Sequence, residues 1–226
     1  LEDQGEAARV VQIMNRKNSL RQKEEKQILS EIEEYLKQDP AVFENDFLVV
    51  VGKDWHRGVI GIVAARLAER FYRPTLVLSL KESSCQGSGR SIPGYNMLAA
   101  LDQCRDMFAQ YGGHAQAVGC TLREEFCRNE SIENMANRLE AHTKAVLLPE
   151  DLVPSLQIES FLRPEEVSNQ LCDEIDKLAP FGTGNTTPVF ASKDMNLFAG
   201  PWVLKESHLK VQVQCNGIPV DAIWWK

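Results

Sequence analysis

Two glycine-flanked polar clusters hold the side chains of this sequence best suited to grip an anion. Gly87-Ser88-Gly89-Arg90-Ser91 sets a guanidinium between two hydroxyls, and Gly112-Gly113-His114 sets an imidazole beside bare backbone. The planar fork of arginine matches phosphate oxygens. Glycines let main-chain N–H groups approach a ligand closely, so those at 87, 89, 112 and 113 are expected to bring the backbone itself to it. A third group, Trp55-His56-Arg57, sits in a loop, Lys53–Gly58, between two apolar runs. Bond-breaking chemistry is not apparent beside them. Phosphodiester hydrolysis needs an activated water, usually made at a metal held by convergent carboxylates and imidazoles. Here the acids Asp54, Asp102 and Asp106 are isolated, and the four histidines, His56, His114, His142 and His208, are never adjacent. No Ser-His-Asp set is supported by order or spacing. No catalytic residue and no metal ligand are expected among these residues.

The elements that must position these groups follow from apolar spacing. Phe47–Val51 and Thr75–Leu80 are short apolar runs of the buried-strand type, and Val59–Phe71 between them is helical. Strand, helix and strand over about thirty residues imply a βαβ unit with a parallel pair. The loop Lys53–Gly58 then lies at a strand's C-terminal end and a helix N-terminus, where free N–H groups favour anions. Met97, Leu98, Leu101, Cys104 and Phe108 fall at helical spacing, so one core-seated helix is expected between the two glycine clusters, with a polar cleft at its ends. Asp102 and Asp106 share a face of it, with Arg105 beside them as an ordinary surface partner; pairing of either acid with Arg90 is the structural alternative to phosphate binding. A strand is expected over Ala115–Leu122 and a helix over Arg123–Leu147, with Ile132, Met135, Leu139 and Val146 inward and Glu125, Glu130, Glu133 and Glu140 outward.

Residues 5–38 read as one long helix ended by Asp39-Pro40, because the residue before proline disfavours the α region. Its apolar stripe fails between Asn15 and Gln27, where only Leu20 remains; such a stretch crosses solvent or faces a polar ligand or partner. After Pro149 and Pro154 the pattern changes. Ser155–Glu159 alternates, Val167–Leu178 is helical, and strands are expected at Pro188–Ala191, Met195–Phe198, Leu209–Cys215 and Pro219–Trp225, the makings of a small antiparallel barrel. Phe198, Trp202 and Trp224 are its candidate stacking surfaces. The domains expected are therefore 1–40, 41–149 and 150–226, with the barrel continuing past Lys226.

The chain has 226 residues, a formal net charge of −7 and 43% hydrophobic residues, which excludes general disorder. The charge is unevenly spread. Residues 124–180 carry 13 acidic and 5 basic side chains, while residues 47–73 carry Lys53, Arg57, Arg66, Arg70 and Arg73 against Asp54 and Glu69. Local charge steers an anionic ligand into a cleft, so the negative total does not exclude nucleic acid. Six scattered cysteines without a C-x-x-C pair argue against zinc and against a disulfide framework. No apolar run reaches membrane-spanning length. A monomeric cytoplasmic protein with no membrane partner is expected, and the absence of an opening Met fits a piece of a longer chain.

These motifs resemble a family. Gly87-Ser88-Gly89-Arg90-Ser91 followed by Gly112-Gly113-His114 and Gly119 is similar to the signature of the DHH-associated domain of RecJ-type exonucleases. The likeness extends upstream through Trp55-His56-Arg57-Gly58-Val59-Ile60-Gly61-Ile62-Val63-Ala64-Ala65-Arg66-Leu67 and downstream through Leu178-Ala179-Pro180-Phe181-Gly182-Thr183-Gly184-Asn185. The resemblance implies an α/β fold: a long connecting helix, a βαβ-containing DHH-associated domain and an OB-like β-barrel. It implies that the parent enzyme degrades single-stranded DNA, 5′ to 3′, in DNA repair and recombination. The family's Asp-His-His motif and metal-binding aspartates have no counterpart here. The chain therefore looks like the C-terminal part of such an enzyme, inactive alone and binding no cofactor. Manganese or magnesium would belong to an N-terminal catalytic domain of the same protein, its partner beside single-stranded DNA. The resemblance puts Ser88 and Arg90 on phosphates, with Gly89, Ser91, Gly112 and Gly113 around them, and His114 at the cleft between the domains. Asn18-x-x-Arg21-Gln22 matches the polar signature of the family's connecting helix. A related phosphodiesterase for short oligonucleotides or cyclic dinucleotides shares Gly-Gly-His but generally lacks the barrel. A non-catalytic nucleic-acid-binding module, such as a tRNA-editing accessory domain, is the other alternative.

Overall fold

A helix of 35 residues, α1 (Gln4–Gln38), leads into an α/β unit, and a small β unit follows. The computed structural model describes residues 4–38, 40–82, 84–182, 184–205, 207–215 and 217–225. Asp39 of the expected helix stop, Thr183 of the loop motif and Lys226 lie outside the described residues. The chain divides into two compact units, residues 1–154 and 155–226.

In the first unit, β1 (Leu48–Lys53), α2 (Arg57–Phe71) and β2 (Thr75–Lys81) form the expected βαβ unit, with β1 and β2 parallel and Leu48 opposite Thr75. Both strands are apolar runs because both faces are covered near them. β3 (Ser84–Arg90), β4 (Phe108–His114) and β5 (Ala117–Leu122) extend the sheet antiparallel, in the order β1-β2-β3-β5-β4. One face packs on α3 (Met97–Asp102) and α4 (Asn129–Val146) through Leu76, Leu78, Cys85, Val118, Leu101 and Met135. On the other face α2 and the last turns of α1 close a second cluster of Ile28, Ile32, Val63, Leu67 and Val77.

Three elements differ from those expected. The cluster Gly87–Arg90, expected in a cleft at the end of a helix, lies in a strand in the middle of a sheet. The helix between the glycine clusters is short: Asn96 caps it by accepting from the Leu98 and Ala99 N–H groups, and it ends at Asp102. A 3₁₀ turn, Arg105–Met107, then delivers Phe108 into β4. Met97, Leu101, Cys104 and Phe108 are all buried as expected, but the last belongs to a strand, so the spacing predicted the core and not the element. Finally, α4 starts at Asn129 after a 3₁₀ turn at Glu124–Phe126. Val146 points to solvent, and Glu140 turns inward to accept the N–H groups of Asp46 and Phe47 at the entrance to β1.

The second unit holds α5 (Asn169–Asp176) and an antiparallel sheet of β8 (Asn196–Leu204), β9 (His208–Cys215) and β10 (Ile218–Trp224) in the order β10-β9-β8. The strand expected at Ser155–Glu159 does not form; the two residues after it are β6 (Ser160–Phe161), parallel to β7 (Phe190–Ala191). Trp202 pairs with Lys210 and Trp224 with Leu209, adjacent positions of β9, so the two indoles project from opposite faces of the sheet. Both are exposed, as is Phe198.

Candidate nucleic-acid interface

β3 alternates with period two. Cys85, Gly87 and Gly89 are buried, whereas Gln86, Ser88 and Arg90 are half-buried and Ser84 exposed. Successive side chains of a strand point to opposite faces, so the polar set lies on the α2 side. β5 then brings the two glycine clusters into register. Arg90 and His114 both pair with Ala117, Ser88 and Gly112 both pair with Gly119, and Gln86 and Gln110 both pair with Thr121. With strands about 4.8 Å apart, each pair sits roughly 10 Å apart across β5. α2 runs over β2 and β3, leaving the β5 and β4 part of this face as an open polar shelf.

Local contacts fix the shelf. Ala115 and Gln116 make a two-residue turn between β4 and β5. The Ser91 N–H donates to the Gln116 carbonyl and the Met97 N–H to the Ala115 carbonyl, tying the turn to the end of β3 and the start of α3. Gly113, at φ +142, leaves no room for a side chain: a Cβ there would lie 2.2 Å from the Ala117 carbonyl oxygen. The Gln116 N–H donates to His114 Nδ1 at 3.2 Å, so the neutral ring carries its proton on Nε2, facing outward. Arg90 folds along its own strand and donates to Ser88 Oγ at 3.2 Å and to the Gly89 carbonyl at 2.8 Å. Gly61 of α2 makes the space for it, since a Cβ there would approach Ser88 Oγ to 2.9 Å and an Arg90 Nη to 3.1 Å. Neither Asp102 nor Asp106 pairs with Arg90. Asp102 accepts from the Tyr111 hydroxyl, and Asp106 accepts from Arg138 rather than from its neighbour Arg105.

Gly87 and Gly89 do not offer free N–H groups as expected. β3 is flanked by β2 and β5, so its main-chain groups are used in the sheet, and the two glycines instead make room in the core. A Cβ at Gly87 would lie 2.6 Å from both Cys120 Sγ and a Leu78 methyl, and one at Gly89 2.4 Å from the Met97 methyl. Gly112 and Gly119 differ: a Cβ at Gly112 would meet nothing within 4 Å, and one at Gly119 only the Gly87 carbonyl oxygen at 3.9 Å. Burial pushes the neighbouring Cys85 and Cys120 thiols up to about 12, so neither supplies a thiolate near neutral pH.

The loop before α2 holds the third cluster. The Trp55 ring lies over Gly52 and its indole N–H donates to Glu31 of α1 at 2.7 Å, while Ser79 Oγ donates to the Trp55 carbonyl. Trp55 thus clamps α1 to the sheet. His56 caps α2, its Nδ1 accepting from the Gly58 N–H at 3.0 Å, which again leaves Nε2 as the outward donor. Arg57 lines the shelf beside Ser88 and Gly112. On α1, Arg21 reaches Asn18 and Glu25, and Gln22 is exposed. The helix runs unbroken through its polar stretch, which is exposed except for Arg21 and Glu25, the latter paired with Arg66 of α2. Sequence reasoning missed Gln86, Gln110 and Thr121; in β3 the signal was the alternation Ser-Cys-Gln-Gly-Ser-Gly-Arg. Among the described residues no group of three His, Cys, Asp or Glu side chains converges as a metal site would require, and none fits a divalent cation. No helix among them is long and apolar enough to cross a membrane.

The shelf can hold an anionic, extended ligand against a flat floor, and known proteins share its frame. Residues 44–145 match the DHHA1 domain and residues 158–226 the RecJ OB domain. A single-stranded-DNA-specific exonuclease RecJ from Bacillus subtilis is 33% identical over 83% of this chain and 23% of its own length. The protein of the same name from Escherichia coli is 29% identical over 75% of this chain and 29% of its own. The crystal structure of RecJ in complex with Mn2+ from Thermus thermophilus superposes with a TM-score of 0.75 at 27% identity, covering 98% of this chain and 31% of that one. The chain spans less than a third of the length of these relatives. With a DHHA1 domain followed by an OB domain on an α/β frame behind a long helix, it belongs to the RecJ family.

Proposed function

We propose that this chain is the substrate-holding part of a single-stranded-DNA exonuclease that acts in DNA repair and recombination. In this reading it grips the sugar–phosphate backbone while a separate N-terminal domain of the same protein, carrying manganese or magnesium, hydrolyses the phosphodiester. The observation that carries it is the register across β5, which sets Arg90 level with His114 and Ser88 level with Gly112 on one open face. Guanidinium, hydroxyl and imidazole N–H donors on a side-chain-free floor suit backbone phosphates without base preference. Ser91, Gly89 and Gly113 shape that set, His56 and Arg57 extend it, and Arg21 and Gln22 face the same ligand from α1.

Fluorescence anisotropy with labelled oligo-dT, against duplex competitor, tests the grip. Single strands are expected to bind in preference to duplex, with affinity falling steeply as salt rises. Incubation with manganese and labelled single strands tests the division of labour: no metal-dependent degradation is expected. Degradation at the rate of an intact exonuclease would overturn that division, and equal affinity for duplex and single strand would overturn the grip.

A further inference from the structure

Two cavities open on the half-covered face of the sheet and share a wall. One, of about 590 Å³, is the shelf itself, with Ser88, Gly112 and the row Gln86, Thr121 and Gln110. The other, of about 540 Å³, lies between α1 and the β2–β3 hairpin and is lined by His56, Lys81 and Ser84. Arg57 and Gln86 line both. Lys81 pairs with Ser84 and Ser79 with Gln86 across the hairpin, so all four lie on the face that carries Ser88 and Arg90. The polar track along β3 therefore runs on from Arg90 to Ser84 and into the second cavity.

The cations of that cavity are uncommitted. Lys81 and Arg57 are exposed, and among the described residues the side chain of neither has a hydrogen-bond or ion-pair partner. His56 aims Nε2 outward because its Nδ1 is spent on the Gly58 N–H. We propose that the second cavity is a second nucleotide subsite, with a backbone phosphate held between Arg57 and Lys81 and Gln86 at the join with the shelf. Glu24 and Asp54, in the same wall, oppose a bare phosphate but accept from the N–H and O–H groups of a base or sugar. The site thus suits a nucleotide within a strand better than a free anion. This rests on the single-strand reading above.

Lys81→Ala separates the two ideas, since an exposed side chain without a partner leaves the fold unaffected. Against a longer oligo-dT its affinity is expected to fall roughly tenfold, as for a lost charged hydrogen bond, and the log–log salt slope to flatten by about 0.7. Against a thymidine dinucleotide, which fills the shelf alone, it is expected to match wild type. Lys144→Ala, on α4 across the sheet, is the charge-matched control and is expected to change neither. Amide shifts of Ser84 and Gln86 during titration report the cavity directly, whatever the second unit binds. If Arg90→Ala weakens binding while Lys81→Ala does not, or if Lys144→Ala weakens it equally, the second subsite is overturned and the shelf stands. If wild type binds no single strand, both fall.

Discussion

The two faces of the five-stranded sheet are built from the same residues of β3 read alternately. On the closed face, Cys85, Gly87 and Gly89 lie under α3 and α4, and the glycines are small because neighbouring side chains fill the space. On the open face, Ser84, Gln86, Ser88 and Arg90 are polar because α2 covers the strand only in part. Gly112 and Gly119, paired on that face, have no internal atom that a methyl group would strike. A glycine required by its own fold and one left bare toward an outside ligand are indistinguishable in sequence. The space around the missing Cβ separates them.

Substitutions at these positions sharpen the comparison. Gly113→Ala is expected to have the largest effect, on the order of 2–4 kcal/mol of stability, combining left-handed strain with a backbone clash. Gly87→Ala follows at about 1–3 kcal/mol from overpacking. Urea unfolding measures both, and a wild-type midpoint in either would break the account of the closed face. Arg90→Ala is expected to keep the melting temperature, lower single-strand affinity by about 1.5–3 kcal/mol and flatten the salt slope by about 0.7. A lowered melting point with an unchanged slope would make Arg90 structural. Gly119→Ala is expected to reverse the sign on stability, gaining up to about 1 kcal/mol, while its methyl group obstructs the shelf and weakens binding. Loss of stability there would erase the distinction between the faces.

The smallest effect lies off both faces. Hydrogen bonds from Arg138 hold the Asp106 carboxyl below its ordinary 3.8. A folded-state pKa below the unfolded one gives stability that is present above about pH 4 and lost as pH falls through the lowered value. The pair is largely exposed, so Arg138→Ala is expected to cost roughly 0.2–1 kcal/mol more at neutral pH than in strong acid, where only its bond to the Gln103 carbonyl is left to lose. Urea midpoints at the two pH values check it.

Apolar runs made the βαβ unit legible: Phe47–Val51 and Thr75–Leu80 have no competing period, and only Phe47 falls outside its strand. β3 was not, because its glycines suggested close approach to a ligand and its alternation is carried by Cys, Gly and Gly rather than by large hydrophobics. The helix predicted through Phe108 failed for a related reason. Helical spacing over Met97–Cys104 is real, but the chain then turns and buries Phe108 from a strand. Ser88, Arg90 and His114 stood out by type alone, whereas their shared row through β5 depends on register, which only the folded sheet supplies. Trp55 stood out as an aromatic in a polar loop, yet its bond to Glu31 joins it to a helix 24 positions away, beyond any local pattern.

That clamp has a mechanical consequence. α1 is seated on the sheet only through its last turns, where Ile28 and Ile32 are buried, while Val10, Val11, Ile13 and Met14 stand exposed. From Ile28 to Gln4 the helix projects about 36 Å at 1.5 Å per residue. It acts as a lever whose fulcrum is the cluster of Ile28, Ile32 and Trp55, and a tilt of about 5° there moves the far end by roughly 3 Å. The volume of two isoleucines, one indole hydrogen bond and the ion pairs Glu25–Arg66 and Glu33–Arg70 therefore set the direction in which the helix points.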